Sequence, residues 1–368
     1  VGGAEVLAAR LARRLSDRYR FVFACLDDLG PLGRQLREEG VLVEVLERRP
    51  GLDPGCTRRL AKLWWREDVQ LVHAHQYTPF FYAMAARAWH GRPPILFTEH
   101  GRWFPDHPRR KRILFNRIML RRTNRVVGVG RAVRQALIDN EGIPAGRVEV
   151  IYNGVDPKRF DRQTVDREAV RSELGLAPED VAVIQVARLD HLKDHATAIR
   201  TIQRVAERDK HVRLILVGEG PELDKIESEI RDRGVKPFVR LLGLRHDVDR
   251  LLAAADLFLL TSISEGIPVT LIEAMMAGLP VVSTDVGGVA EVVEPDRTGL
   301  LAPSGDDAAL ADAILRLADD APLRRQMGRQ GRCRAEEVFS EQQMHAAYAA
   351  CYEEMKTTPL SLWERGRG

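Results

Sequence analysis

Short runs of β-branched and other apolar residues recur along this chain, each separated from the next by a longer stretch with helical spacing. They lie at Phe21–Leu26, Val41–Leu46, Gln70–His75, Ile95–Thr98, Val126–Val129 and Val148–Ile151. After a break the rhythm restarts at Val181–Ala187, Val212–Val217, Val239–Gly243, Asp256–Leu260, Val281–Thr284 and Gly299–Ala302. Strands that alternate with helices predict parallel sheets, because two parallel strands need a long crossover to join them. The expected fold is α/β, with two Rossmann-like doubly wound sheets, and 368 residues are enough for two separate cores.

In the break, Asn153-Gly154-Val155-Asp156-Pro157 is turn chemistry and polar sequence runs on to about Pro178. The expected division is an N-terminal domain over 1–157, a C-terminal domain over 158–339, a helix over 340–356 crossing back to the first domain, and a disordered tail over 357–368. One helical pattern is read from Asp306 through Phe339, broken at Ser340.

Composition narrows the function. A net charge of +3 falls short of the dense basic stripe of a nucleic-acid binder and suits an anionic small substrate or an anionic membrane surface. Cys25, Cys56, Cys333 and Cys351 are scattered with no CxxC pair, so neither a zinc site nor a disulfide framework is expected, and reduced thiols point to the cytoplasm. No apolar run approaches the roughly 18 residues of a membrane helix. Attachment at the inner face of the cell membrane would therefore be peripheral.

The strongest chemical signal is Ser262-Ile263-Ser264-Glu265-Gly266-Ile267-Pro268 followed by Glu273-Ala274-Met275-Met276-Ala277-Gly278-Leu279-Pro280, between two strand runs. A loop carrying Glu265 leads through Pro268 into a helix holding Glu273. In a doubly wound sheet that loop sits at the carboxyl edge, where ligands bind and a helix N-terminus suits phosphate. Carboxylates accept paired hydrogen bonds from vicinal hydroxyls. The plain alternative has Glu265 capping the helix and Glu273 in solvent. Arg188 and Lys193, just beyond the first strand run of the same domain, read together as a clamp for a diphosphate.

These motifs, with Asn153-Gly154-Val155-Asp156, Leu216-Val217-Gly218-Glu219-Gly220-Pro221 and the opening Gly2-Gly3-Ala4-Glu5, resemble the retaining glycosyltransferases of the GT-B fold, family four. The resemblance spans about residues 1–355 and implies two domains facing across a cleft. It implies that Arg188 and Lys193 neutralise the diphosphate, Glu273 holds the ribose hydroxyls and Glu265 contacts the transferred sugar. The backbone of Gly266, Ile267, Pro268, Val269 and Thr270 would line the sugar and phosphate pocket, with Asn153 and Gly218 on the donor side. His100, in Thr98-Glu99-His100-Gly101, would face the donor sugar, and alternation puts His73 and His75 on one face, one of them toward the acceptor. Gly2 and Gly3 match a turn where backbone approaches phosphate or acceptor. Two features depart from the pattern. The chain opens at Val1 on those glycines, so the first strand of the N-terminal domain is expected to be missing, and Gly130 stands where the family has serine.

The expected activity is retaining transfer of a hexose from a nucleotide diphosphate sugar to a glycan or lipid-linked glycan, in polysaccharide or lipopolysaccharide synthesis. No metal or other cofactor and no nucleic acid is expected. The rival readings are an inactive nucleotide-sugar-binding remnant and a nicotinamide-dependent oxidoreductase, the latter disfavoured by the missing glycine fingerprint. Asp247-Val248-Asp249 reads as a helix N-cap rather than a metal site, and Gly128-Val129-Gly130 as a helix start. The basic segment over residues 109–125, with Arg109, Arg110, Lys111, Arg112 and Arg117 among apolar residues, has two readings. It is a solvated helix packing its apolar stripe inward, or it docks on an anionic bilayer carrying a lipid-linked acceptor.

Overall fold

The computed structural model describes residues 3–89, 93–101, 106–120, 123–162 and 165–357. The chain divides into two compact units, residues 153–343 and residues 1–152 joined by the chain from 344 onward.

In the first unit the strands are β1 (Val22–Cys25), β2 (Leu42–Val45), β3 (Val72–His75), β4 (Ile95–Glu99), β5 (Arg125–Gly128) and β6 (Val148–Val150). All pair in parallel, β1 with β2, and β3, β4, β5 and β6 in that order. Ile95, Leu96 and Phe97 of β4 have no exposed surface, as expected of a central strand covered on both faces. The helix Glu341–Thr357 packs here, its Met344, Tyr348, Tyr352 and Met355 joining Leu7, Leu11, Leu96 and Val127 in one apolar cluster.

In the second unit the strands are β7 (Val181–Val186), β8 (Val212–Val217), β9 (Val239–Leu241), β10 (Leu257–Leu260), β11 (Val281–Thr284) and β12 (Gly299–Ala302). Their parallel order is β12-β11-β10-β7-β8-β9. The chain builds outward from β7 in one direction and then, from β10, in the other. The carboxyl ends of β7 and β10 therefore flank the point where the winding reverses, which is where open α/β sheets bind ligands.

Three local readings need correction. The polar stretch before Pro178 contains a helix, Arg167–Glu173, capped by Asp166 on the Ala169 N–H at 3.0 Å. It escapes pattern reading because one of its buried side chains is Arg171, whose charge is met by Asp256 at 3.0 Å. The single pattern from Asp306 to Phe339 is two helices, Asp307–Asp319 and Ala321–Val338, since Asp320 accepts from the Leu323 N–H at 2.8 Å and starts a new helix with Pro322 in its first turn. The division between units falls at 152/153 because Val155 bridges Ser340. A Cβ on Gly154 would sit 2.7 Å from the Ser340 carbonyl oxygen. The tail reading, apart from Thr357, lies outside the described residues.

Candidate functional site

The loops after β7 and β10 meet at the switch point of the second unit. The Ile263 N–H donates to the Leu192 carbonyl at 2.8 Å, and the Thr261 hydroxyl donates to the carbonyls of Lys193 and Asp194 at 3.0 and 2.9 Å. The turn that carries Lys193 is thus tied to the end of β10. Across that seam Lys193 Nζ lies 2.6 Å from Glu265 Oε1, which also accepts from the Ser262 hydroxyl at 2.6 Å. Both partners are largely shielded from water, so the lysine is held at a defined point rather than swept through solvent. Arg188 on the same loop keeps an exposed side chain, with Asp190 3.9 Å away.

Glycines make this approach possible. A Cβ on Gly218 would fall 2.0 Å from the Ala187 carbonyl oxygen, and one on Gly220 2.3 Å from that of Leu189. Gly218 therefore serves the packing of the turn that presents Arg188. On the other side a Cβ on Gly287 would fall 1.9 Å from the Glu265 carbonyl oxygen, and one on Gly288 2.0 Å from that of Gly266. The Gly287-Gly288 pair after β11 is a site feature absent from the sequence reading, although paired glycines directly after a strand were the available signal.

The helix Val269–Met276 follows. Pro268 is its N-cap residue, one position earlier than a proline that opens a helix, and supplies no capping side chain, so Val269 and Thr270 start a turn whose N–H groups are not covered from within the cap. Ile267 and Pro268 are buried; Gly266 and Glu273 are half-buried. Glu265 does not cap this helix; its carboxylate is turned to Lys193 and Ser262. Asn153 is 6% exposed with its Oδ1 unpaired, and the turn Pro157–Phe160 just beyond it packs against the motif helix.

His100 lies in the first unit, beside β4. Its Nε2 is 2.9 Å from His75 Nδ1, and the His73 and His75 rings lie 4.0 Å apart on the same face. His73 is bonded at both nitrogens, to Tyr352 OH at 2.7 Å and Thr98 Oγ1 at 2.8 Å. Burial lowers the pKa of His73 to about 3 and of His100 to about 4, and takes His75 well below the ordinary imidazole value, aided by its ring neighbours. All three rings are neutral at neutral pH. Directly after His75, Gln76 has φ 75 and ψ 162, a region almost reserved for glycine and costing roughly 1–3 kcal/mol. Gly3 is not in a turn: it is the first residue of the helix Gly3–Arg14, and a Cβ there would meet nothing within 4 Å. Gly2 lies outside the described residues.

The basic segment forms the helix Arg110–Met119. Its inner side holds Asn116, the Phe115 ring 4.8 Å from Phe81, and Arg112, which pairs with the buried Glu141 at 2.9 Å and lies over the Tyr77 ring. Leu114 and Ile118 are 60% and 71% exposed, and Arg110, Lys111 and Arg117 are exposed as well. At 3.6 residues per turn these five share one arc. The reading with the apolar stripe packed inward is therefore wrong for Leu114 and Ile118. Arg121 and Arg122 lie outside the described residues.

The two helix-start readings, at Gly130 and at Asp247, resolve differently. Gly130 is the N-cap of the helix Arg131–Glu141, as a helix start requires. Asp247 occupies an N-cap position before Val248–Ala254 but makes no cap bond; it accepts from Arg245 at 2.8 and 2.7 Å, which lowers its pKa to about 2.

Comparison with known families decides what this arrangement belongs to. The family described as "Glycosyltransferase Family 4" matches residues 1–159, and "Glycosyl transferases group 1" matches residues 166–334. The chain belongs to the group 1, family 4 glycosyltransferases. These are retaining enzymes of the GT-B fold that use nucleotide sugars, and the dehydrogenase reading falls away. Among similar glycosyltransferases, N-acetyl-alpha-D-glucosaminyl L-malate synthase of Bacillus anthracis is 26% identical, over 96% of this chain and 94% of its own length. The lipopolysaccharide core biosynthesis mannosyltransferase LpsB of Rhizobium meliloti is 28% identical, over 95% and 97%. Among solved structures, Anabaena Alr3699/HepE in complex with UDP and glucose superposes with a TM-score of 0.82 at 24% identity, over 96% of each chain. Among the described residues of this glycosyltransferase no helix is long and apolar enough to cross a membrane.

Proposed function

We propose that this glycosyltransferase moves a hexose from a nucleotide diphosphate sugar, a uridine diphosphate sugar first among them, to a glycan or lipid-linked glycan with retention of anomeric configuration. The expected setting is synthesis of cell-surface polysaccharide or glycolipid, the field of several of its relatives. The observation that carries the donor assignment is the Lys193–Glu265 pair at 2.6 Å on the switch point of the second sheet, beside the exposed Arg188.

In this reading Arg188, Lys193 and the uncapped start of the helix Val269–Met276 hold the diphosphate. As the bond from the anomeric carbon to phosphate oxygen breaks, negative charge grows on the departing diphosphate, and these preorganised groups stabilise it. Glu265 engages hydroxyls of the transferred sugar and Glu273 those of the ribose. Gly266, Ile267, Pro268, Val269 and Thr270 line the donor pocket, Asn153, Gly218 and Gly2 belong to the donor side, and the first unit serves the acceptor. His100 takes part in transfer as a neutral hydrogen-bonding group.

The outward arc of Arg110, Lys111, Leu114, Arg117 and Ile118 gives the enzyme a peripheral seat on an anionic bilayer, where cations meet headgroups and the two aliphatic side chains enter the interface. Proton NMR of the first-formed product tests the reaction class. An α-linked donor is expected to give an α-linked product, and a β-linked first product would contradict retention.

A further inference from the structure

We propose that His75 is a positioning residue that holds His100 in one tautomer and one ring orientation for transfer. This rests on the reading that His100 takes part in the reaction. In the parallel register of β3 and β4, His75 pairs with Thr98, so His75 and His100, two residues past Thr98, lie on one face. The 2.9 Å separation of His75 Nδ1 and His100 Nε2 is a hydrogen bond between neutral rings, and such a bond holds a single proton. If His75 donates from Nδ1, His100 accepts at Nε2 and both rings carry their proton on Nδ1; if His100 donates, both carry it on Nε2, so the two rings share one tautomer and His100 does not choose its own. Among the described residues its Nε2 is bonded to His75 alone, which leaves Nδ1 as the nitrogen offered to a substrate.

The His75 ring is itself held in place on its far side. His73, bonded at both nitrogens to Tyr352 and Thr98, lies against His75 at 4.0 Å, and the His75 and His100 rings meet edge to edge, with centroids 5.2 Å apart. Tyr348 adds a 3.3 Å contact to Thr98 and has no exposed surface. Behind these rings stands the helix Glu341–Thr357, so the far end of the sequence braces the tip of β3. The strained Gln76 turns the chain away immediately after His75, with its N–H on the Thr98 carbonyl at 2.9 Å. Strain of this kind collects where geometry matters for function.

The test uses the full chain with 15N-labelled histidine, reading the ring nitrogens of His100 by long-range proton–nitrogen correlation and turnover as nucleoside diphosphate release from the nucleotide sugar. In the parent one His100 nitrogen is expected to be protonated and the other bare. In His75→Leu both are expected to move toward an average, with kcat lower by on the order of tenfold to a hundredfold and the donor KM within about twofold. His75→Asn, which keeps an amide near the Nδ1 position, is expected to recover part of both, and it guards against a leucine variant that folds poorly. An unchanged His100 pattern in His75→Leu would overturn the positioning role. A changed pattern with unchanged kcat would instead overturn the part assigned to His100 in transfer.

Discussion

At the scale of single residues, the candidate donor site depends on backbone approaching backbone. Gly287 has φ 54, and its missing Cβ would lie 1.9 Å from the Glu265 carbonyl oxygen; Gly305 has φ 79 with nothing within 4 Å. Alanine at either position carries the left-handed penalty of roughly 1–2 kcal/mol, but only at Gly287 must the Glu265 loop also move. Gly287→Ala is expected to lower both the melting temperature and donor affinity, and Gly305→Ala only the former. Equal donor affinity in the two variants, measured by calorimetry, would show that the loop tolerates displacement. Glu265, Glu273, Arg188 and Lys193 were legible because charged residues at strand ends stand out against apolar runs. The partnership of Lys193 with Glu265 was not, since their separation in sequence says nothing about which loops the sheet order makes neighbours. Gly287 and Gly288 carried no charge to draw notice, and their role is visible only as the absence of a collision.

At the scale of elements, hydrophobic periodicity located the strands to within a residue or two but misjudged one helix face. Spacing alone would turn every cation of Arg110–Met119 outward, yet Arg112 is drawn in by the buried Glu141 while Leu114 and Ile118 are left out. Charge reversal at Arg110, Lys111 and Arg117 is expected to abolish sedimentation with anionic vesicles at low salt while leaving donor binding unchanged. Arg112 must be spared in that variant, because it pairs with the buried Glu141 and its loss would destabilise the fold. Parent protein that stays in the supernatant would refute the bilayer seat. Strands β3 and β4 make a second claim. Among the described residues the first unit holds four histidines with lowered pKa, His73, His75, His100 and His345, and the second holds His195. Their folded values lie below the ordinary 6.5, so the unfolded chain takes up more protons as pH falls from there toward 4. The stabilisation is complete above pH 6.5 and is lost on acidification. The melting transition of the first unit is expected to fall more steeply than that of the second between pH 6.5 and 5, and parallel slopes would contradict it.

At the scale of the whole molecule, the repeated strand–helix rhythm was enough to read two parallel α/β units, because that alternation has few other solutions. What it could not give was strand order. That order, β12-β11-β10-β7-β8-β9, is what turns two loops distant in sequence into one site. The return of the C-terminal helix to the first unit has a similar status: a break at Ser340 is visible in the sequence, but the tyrosines Tyr348 and Tyr352 acquire meaning only against His73 and Thr98. The central claim is that the switch point of the second unit binds the nucleotide diphosphate sugar through Arg188, Lys193 and Glu273, with Glu265 reserved for the transferred sugar. Calorimetric titration with a uridine diphosphate sugar and with the bare uridine diphosphate, in the parent and in Glu265→Ala and Glu273→Ala, tests it directly. The account predicts that Glu273→Ala weakens both ligands alike, by on the order of tenfold or more, whereas Glu265→Ala weakens the sugar-bearing ligand more than the bare diphosphate. Parent-like affinities for both ligands in both variants would contradict it.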